Sequence, residues 1–157
     1  MVQSEQGQGT AFHIYLPQVQ DAAEKPSAPV PTAALGGTET ILLVEDEESV
    51  RQLVRDTLES KGYRVLEADS GEAGLIAAEQ YKSTIELVIT DIIMPGISGR
   101  ELVKQLVLAR PGIKVLYLSG YTEDAIVSEG SLEPGTAFLQ KPFSLQILSR
   151  KVREVLG

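Results

Sequence analysis

Apolar and polar positions alternate in a regular rhythm from about residue 39 to the end of the chain. Short apolar runs recur, and between them lie stretches in which apolar residues return every three or four positions. The first pattern predicts β-strands and the second predicts amphipathic α-helices. The predicted strands are residues 41–44, 63–68, 87–90, 115–118 and 137–139, and the predicted helices are residues 48–61, 70–81, 99–110, 122–129 and 144–156.

The order of these elements predicts the fold class. The run at residues 41–44 is apolar at every position, which is typical of a strand buried on both faces of a sheet. Each strand is followed by a helix, as in a parallel sheet with crossover helices. We therefore predict an α/β fold, a doubly wound five-stranded parallel sheet with helices on both faces. Ligands bind such sheets beyond the carboxyl ends of the strands.

The first 38 residues have a different composition. Residues 12–16 alternate after two closely spaced glycines and predict one strand, whose pairing partner must lie elsewhere or be missing. Residues 19–38 hold three prolines and a Gly-Gly pair, and they predict a flexible linker. The single histidine, His13, falls in the predicted strand, and we interpret it as structural rather than as a phosphorylated histidine.

Composition narrows the classes of function. The 157 residues carry a net charge of −8 and include no cysteine. The lack of cysteine excludes disulfides and thiolate zinc sites, and the acidic balance argues against contact with nucleic acid or an anionic membrane. No stretch has the roughly 20 apolar residues of a membrane helix, and the first residues lack a signal pattern. We therefore expect a cytoplasmic protein.

Chemically useful side chains follow four of the predicted strands. Glu45 and Asp46 follow the first strand, Asp91 the third, Ser119 the fourth and Lys141 the fifth. Because the carboxyl ends of parallel strands meet at one edge, we expect these side chains to lie close together. Carboxylates gathered in one cleft repel each other, and a hard divalent cation relieves that repulsion. The set therefore predicts a Mg²⁺ site.

The same set suits phosphoryl transfer, which needs a nucleophile and neutralisation of the phosphoryl oxygens. Asp91 is the expected nucleophile, and Mg²⁺, Lys141 and Ser119 are expected to hold the three oxygens. Each residue also has a simpler interpretation, because aspartate and serine cap turns and lysine is a common surface residue. The combination of all of them at one edge favours the chemical interpretation.

The motifs at these strand ends resemble those of response-regulator receiver domains, in the family's order and over residues 39–156. The resemblance implies a flavodoxin-like sheet with strand order 2-1-3-4-5. It also implies a Mg²⁺ ion held by Glu45, Asp46, Asp91 and the backbone carbonyl of Ile93. The motifs are Val44-Glu45-Asp46, Thr90-Asp91-Ile92-Ile93-Met94-Pro95-Gly96, Leu118-Ser119-Gly120-Tyr121 and Lys141-Pro142-Phe143.

The resemblance further implies a conformational switch. Asp91 matches the phosphoacceptor and Lys141 the phosphate-binding lysine, whose bond to Pro142 is expected to be cis. Ser119 matches the hydroxyl that moves toward the phosphate, and Phe138 the aromatic that turns inward. An aromatic in a short strand is also a common core residue, so both interpretations of Phe138 stay open.

Residues 7–17 resemble the last glycine turn and strand of a histidine-kinase ATP-binding domain. That resemblance divides the chain into a kinase remnant at residues 1–18, a linker at residues 19–38 and a receiver domain at residues 39–157. The chain would then be the C-terminal piece of a hybrid sensor kinase. The other ATP-site motifs are absent from the sequence, so we expect that this chain cannot bind ATP as a kinase does. We expect no free-standing enzyme, although the chain would promote its own phosphorylation and dephosphorylation.

The predicted function is that of a phosphorelay receiver. Asp91 accepts phosphate from a phosphohistidine of a histidine kinase, and a partner or downstream phosphotransfer protein responds. The alternative is an interaction module that keeps the fold without phosphate turnover. A metal-dependent phosphatase is disfavoured, because it needs a second acid where Ile93 stands. Ile93 and Tyr121 are expected to slow loss of the phosphate by shielding it from water.

Overall fold

A β-hairpin forms the described part of the N-terminal region. The computed structural model describes residues 2–5, 9–12, 36–121 and 136–157, and the chain divides into two compact units, Met1–Thr32 and Ala33–Gly157. In the first unit β1 (Val2–Glu5) pairs in antiparallel fashion with β2 (Gly9–Phe12). The sequence pattern did not predict β1, because three of its four residues are polar and no alternation marks it. Residues 13–16 of the predicted strand, His13 among them, lie outside the described residues.

The second unit contains the predicted five-stranded parallel sheet. Its order is β4-β3-β5-β6-β7, and every neighbouring pair is parallel. Counted within this unit, the order is 2-1-3-4-5, which confirms the predicted fold class. Each strand end lies within one residue of its predicted position. The strands are β3 (Thr40–Val44), β4 (Arg64–Ala68), β5 (Leu87–Asp91), β6 (Lys114–Ser119) and β7 (Phe138–Gln140).

Four described helices follow the strands, each within one residue of its predicted ends. Three of them begin at a serine whose hydroxyl accepts a hydrogen bond from an amide of the first turn, at 3.3 Å in each case. No helix in the described ranges is long and apolar enough to cross a membrane. The predicted helix at 122–129 lies outside those ranges. The helices are α1 (Glu48–Ser60), α2 (Gly71–Gln80), α3 (Gly99–Ala109) and α4 (Leu145–Leu156).

Two hydrophobic cores pack on the two faces of the sheet. Successive residues of β3 point to opposite faces, so Leu42 joins a core with α2 and α3, while Ile41 joins a core with α1 and α4. Both side chains are fully buried, and burial of an aliphatic side chain stabilises the fold by about 1.5–3 kcal/mol. This packing fixes the strands and therefore the polar residues that follow them.

A polar cluster closes the amino edge of the sheet, ahead of β3. Arg153 of α4 forms an ion pair with Glu39 at 2.9 Å, and Tyr63 lies beside both groups. The hydrogen bond from Arg153 lowers the pKa of Glu39 below its ordinary value. Gly37 donates to the carbonyl of Lys61 at 3.2 Å, and a Cβ on Gly37 would lie 1.8 Å from a Glu39 oxygen. We call Glu39, Tyr63 and Arg153 the amino-edge cluster.

Candidate functional site

The carboxyl ends of β3, β5 and β7 bring three predicted site residues into contact. The ammonium of Lys141 lies 2.8 Å from Glu45 Oε2 and 2.8 Å from Asp91 Oδ2. The side chain of Glu45 is 1% exposed, that of Asp91 14% and that of Lys141 21%. One cation is therefore shared by two carboxylates that are largely removed from water.

Each of these two carboxylates divides its oxygens between the lysine and the backbone. Asp91 Oδ1 accepts a hydrogen bond from the amide of Ile93 at 3.0 Å, and Glu45 Oε1 accepts one from the amide of Glu47 at 3.3 Å. In both cases the donor lies two residues further along the chain. The loop that follows each strand thus holds the acid that precedes it in a fixed orientation.

Burial dominates the electrostatics of this group. Burial raises the pKa of Glu45 above its ordinary value, and the nearby charge of Asp91 adds to the increase, although Lys141 partly opposes it. Burial alone would lower the pKa of Lys141, but its hydrogen bonds to Asp91 and Glu45 outweigh that effect and raise it. Negative charge is thus in excess around a lysine that stays protonated.

Asp46 completes the acidic set. Glu45, Asp46 and Asp91 each offer a carboxylate oxygen, and these oxygens lie within 4.8 Å of one another. Asp46 is exposed, whereas Glu45 is fully buried. Carboxylate oxygens are the ligands that hard divalent cations prefer, and Mg²⁺ is commonly bound through one or two of them together with waters. The donor set therefore fits the Mg²⁺ ion that the sequence predicts.

Ser119 lies at the end of the neighbouring strand, β6. Its side chain is nearly fully buried, and its hydroxyl oxygen accepts a hydrogen bond from the amide of Tyr121 at 3.0 Å. The carbonyl of Ser119 accepts one from the amide of Lys141 at 2.7 Å. This second bond ties the end of β7 to the end of β6. The Lys141–Pro142 bond is cis, as predicted.

Phe138 begins β7, three residues before Lys141. It is half-buried, packs against the core on the α2 and α3 face, and pairs in register with Tyr117 of β6. Burial raises the pKa of Tyr117 to about 12. The two aromatic residues thus stand side by side on neighbouring strands.

Ile93 and Tyr121 occupy the rim of the site. Ile93 is 61% exposed and Tyr121 59% exposed, although both are large apolar or aromatic residues. Each lies two residues beyond a predicted site residue, Asp91 or Ser119. Their exposure at this edge is consistent with side chains that can cover a group bound to Asp91.

One charged residue near the site escaped the sequence-based prediction. The guanidinium of Arg51 in α1 donates to the backbone carbonyl of Glu45 at 2.8 Å and so holds the loop that carries Glu45 and Asp46. Helical spacing places Arg51 one turn into α1, but that spacing carries no signal for a contact with a backbone carbonyl. Only the tertiary structure reveals the contact.

Comparison with known proteins agrees with this arrangement. The family model of the response regulator receiver domain matches residues 41–153. The sensor kinase CckA of Brucella abortus is 38% identical over 98% of this chain. The chain spans only 17% of the length of that kinase.

Solved structures give the same result. The receiver domain of the hybrid histidine kinase CckA is 40% identical, with a TM-score of 0.64 over 75% of this chain and 99% of that one. The chemotaxis protein CheY4 of Vibrio cholerae is 30% identical, with a TM-score of 0.68 over 76% of this chain and 99% of that one. The family model covers well over half of the chain, and the described sheet has the topology that the motifs predicted. The chain belongs to the response regulator receiver domain family.

Proposed function

We propose that this chain is a phosphorelay receiver in which Asp91 accepts a phosphoryl group from a phosphohistidine in a Mg²⁺-dependent reaction. The observation that carries the proposal is the shared lysine, whose ammonium lies 2.8 Å from both Glu45 and Asp91. A half-buried cation beside two acids serves a reaction in which a third anion, the phosphoryl group, arrives at the same place. A purely structural ion pair would need only one of the acids.

The transfer forms one bond and breaks another. A carboxylate oxygen of Asp91 attacks the phosphorus, the bond between phosphorus and the histidine nitrogen breaks, and the imidazole keeps the electron pair and takes up a proton from water. The product is an acyl phosphate on Asp91. Lys141 neutralises one phosphoryl oxygen, and the Ser119 hydroxyl donates to another once it leaves the Tyr121 amide.

Glu45, Asp46 and Asp91 would hold Mg²⁺, together with the backbone carbonyl of Ile93. A bound Mg²⁺ ion supplies charge neutralisation at the phosphoryl oxygens. The ionised form of Glu45 is unfavourable without a further cation, because burial and the neighbouring Asp91 charge raise its pKa. Additional positive charge at this edge would stabilise the ionised Glu45 carboxylate.

A switch that follows phosphorylation rests on Ser119 and Phe138. Ser119 has a hydroxyl at the site and a carbonyl bonded to the Lys141 amide, so movement of Ser119 toward a phosphoryl group is coupled to the end of β7. Phe138 lies on that strand and is only half-buried, so an inward turn would bury more of its ring. Phosphorylation would then shift an existing equilibrium between two arrangements.

The parent protein is proposed to be a hybrid histidine kinase located in the cytoplasm. The alignment with the CckA sensor kinase extends over 98% of this chain and therefore beyond the receiver domain. This extent supports residues 1–18 as the end of a kinase ATP-binding domain and residues 19–38 as a linker. The phosphodonor would be a histidine of that kinase, and a downstream phosphotransfer protein is a further possible partner.

The direct test is mass spectrometry after incubation with acetyl phosphate and Mg²⁺. We expect one phosphate adduct on the parent, no adduct on Asp91→Ala, and an unchanged adduct on the control Asp69→Ala, since Asp69 is an exposed aspartate just past β4 at the same edge. No adduct on the parent, together with no response to beryllofluoride, would overturn the proposal. The chain would then be a receiver-fold interaction module.

A further inference from the structure

The amino end of α2 contacts the loop that follows Asp91. We call residues 92–98 the β5–α3 loop. Glu72, in the first turn of α2, accepts a hydrogen bond from the amide of Ile97 at 3.2 Å, although the two residues are 25 positions apart. A Cβ on the preceding residue, Gly71, would lie 2.6 Å from the carbonyl oxygen of Ile97. The helix and the loop are thus packed at backbone distance.

The loop itself is shaped to receive this carboxylate. Gly96 has a φ of +74°, a conformation that residues with a side chain rarely adopt. A Cβ on Gly96 would also lie 2.6 Å from Glu72 Oε1. Glycines on both sides therefore permit the approach of the exposed Glu72 carboxylate to the loop backbone.

The loop connects this contact to the site. At its start, the amide of Ile92 donates to the carbonyl of Leu118 at 3.1 Å, and the amide of Ile93 donates to Asp91 Oδ1 at 3.0 Å. At its end, Glu72 holds Ile97. The backbone carbonyl of Ile93, a predicted Mg²⁺ ligand, lies between these two fixed points. The amide of Gly99 also donates to the carbonyl of Ile92 at 3.1 Å, so we expect release of the Ile97 end to loosen the middle of the loop rather than to unfold it.

We propose that Glu72 is a positioning residue for the Mg²⁺ site. Its carboxylate holds the β5–α3 loop so that the Ile93 carbonyl and the Asp91 carboxylate stay oriented toward the same ion. This inference rests on the proposed function, because it concerns the metal that function requires. Glu72 touches neither the metal nor the phosphoryl group, and it acts only through the loop.

The competing explanation is the helix dipole, since an acid in the first turn stabilises a helix by itself. Glu101 provides the matched control, because it occupies the first turn of α3 as Glu72 does that of α2. A dipole effect alone predicts the same result for both glutamates. A positioning effect predicts that only Glu72 alters the affinity for Mg²⁺.

The experiment is calorimetric titration of the full chain with Mg²⁺ alone. We expect Glu72→Ala to weaken binding about tenfold, the lower end of what loss of a supporting contact costs a metal site. Glu72→Gln keeps an acceptor oxygen for the Ile97 amide and should bind within about twofold of the parent. Glu101→Ala should bind as the parent does.

Hydrogen exchange at the Ile97 amide supplies a readout that does not involve the metal. Without Mg²⁺, this amide should exchange faster in Glu72→Ala than in the parent, whereas Glu101→Ala, which loses the same interaction with a helix dipole, should leave its exchange unchanged. Mg²⁺ affinity equal to that of the parent, or unchanged protection of Ile97, would refute the positioning role while the receiver function stands. If the parent itself bound no Mg²⁺, the proposed function would fail as well.

Discussion

Each edge of the sheet has a glutamate beside a cation, yet the pKa values of the two glutamates shift in opposite directions. At the amino edge, the hydrogen bond from Arg153 lowers the pKa of Glu39. At the carboxyl edge, burial raises the pKa of Glu45 even though Lys141 lies 2.8 Å away. A neighbouring cation therefore does not by itself decide the direction in which the pKa of a glutamate shifts.

The two edges differ in the exposure of the glutamate to water and in the number of acids that share each cation. The Glu39 side chain is 26% exposed and has Arg153 as its ion-pair partner. The Glu45 side chain is 1% exposed and shares one ammonium with Asp91, and Asp46 stands nearby. The amino-edge cluster thus pairs one acid with one cation, whereas the carboxyl edge is short of positive charge. An edge with as many cations as acids needs no ligand, whereas an edge with excess acids favours the binding of a further cation.

The largest expected effect comes from removal of the cation at each edge. In metal-free buffer, Lys141→Met should lower the free energy of unfolding by about 3 kcal/mol, because it leaves buried carboxylates unpaired. Arg153→Met, the matched change at the amino edge, should cost about 1 kcal/mol, since its partner is partly solvated. Urea denaturation measures both values, and equal losses would contradict the comparison.

Addition of Mg²⁺ should stabilise the carboxyl edge. At a free Mg²⁺ concentration of about 100 times the dissociation constant, the parent should gain roughly 2.7 kcal/mol of unfolding free energy. Asp46→Asn should lose most of this gain and remain at least as stable as the parent without metal, because it removes one of three clustered acids. Thermal melts with and without Mg²⁺ test this prediction. A full gain in Asp46→Asn would rule out Asp46 as a ligand.

The pH dependence of stability should differ in sign between the two edges. Without metal, the contribution of Glu45 is present below its unfolded pKa and is lost as the pH rises through its higher folded pKa. The contribution of Glu39 is present above its unfolded pKa and is lost as the pH falls through its lower folded pKa.

Glutamine variants isolate these two contributions. Urea denaturation of the parent, Glu45→Gln and Glu39→Gln at about pH 4 and about pH 7 gives each contribution by difference. The stability advantage of the parent over Glu39→Gln should grow with pH, and its advantage over Glu45→Gln should shrink. Two differences of the same sign would show that the edges are electrostatically alike.

The smallest expected effect concerns the rim of the carboxyl edge. Ile93→Asn should shorten the life of the aspartyl phosphate about threefold, which corresponds to ~0.7 kcal/mol in the barrier, because a polar side chain admits and orients water. Leu108→Asn is the control, since Leu108 is an 84% exposed apolar residue of α3. Decay of the adduct followed by mass spectrometry gives both rates. If the adduct on Ile93→Asn decayed at the rate of the parent's, the shielding hypothesis would be wrong.

The sheet could be predicted from sequence because β3, β5 and β6 contain apolar runs and because the elements between them have helical spacing and end signals. Ser70 and Gly62, for example, mark a helix start and a helix end in the sequence, and both do so in the structure. The acidic set could be predicted because parallel topology brings strand ends together. In contrast, β1 has no apolar alternation and could not be predicted.

The individual hydrogen bonds between residues far apart in the sequence could not be predicted either. Lys141 and Glu45 are 96 positions apart, and Glu72 and Ile97 are 25 apart. The topology predicts that such residues share an edge, but it does not predict which oxygen meets which hydrogen. Those pairings depend on rotamers and loop conformations that only the packed structure determines.

Strand β3 separates the amino-edge cluster from the acidic residues at the carboxyl edge. Its five residues, at about 3.3 Å each, span roughly 16 Å between the amino-edge cluster and Glu45. Gly37 and the amino-edge cluster therefore lie one strand length away from the acidic edge. Substitutions at the two edges should therefore have additive effects on the free energy of unfolding, because residues more than about 10 Å apart that share no partner rarely couple.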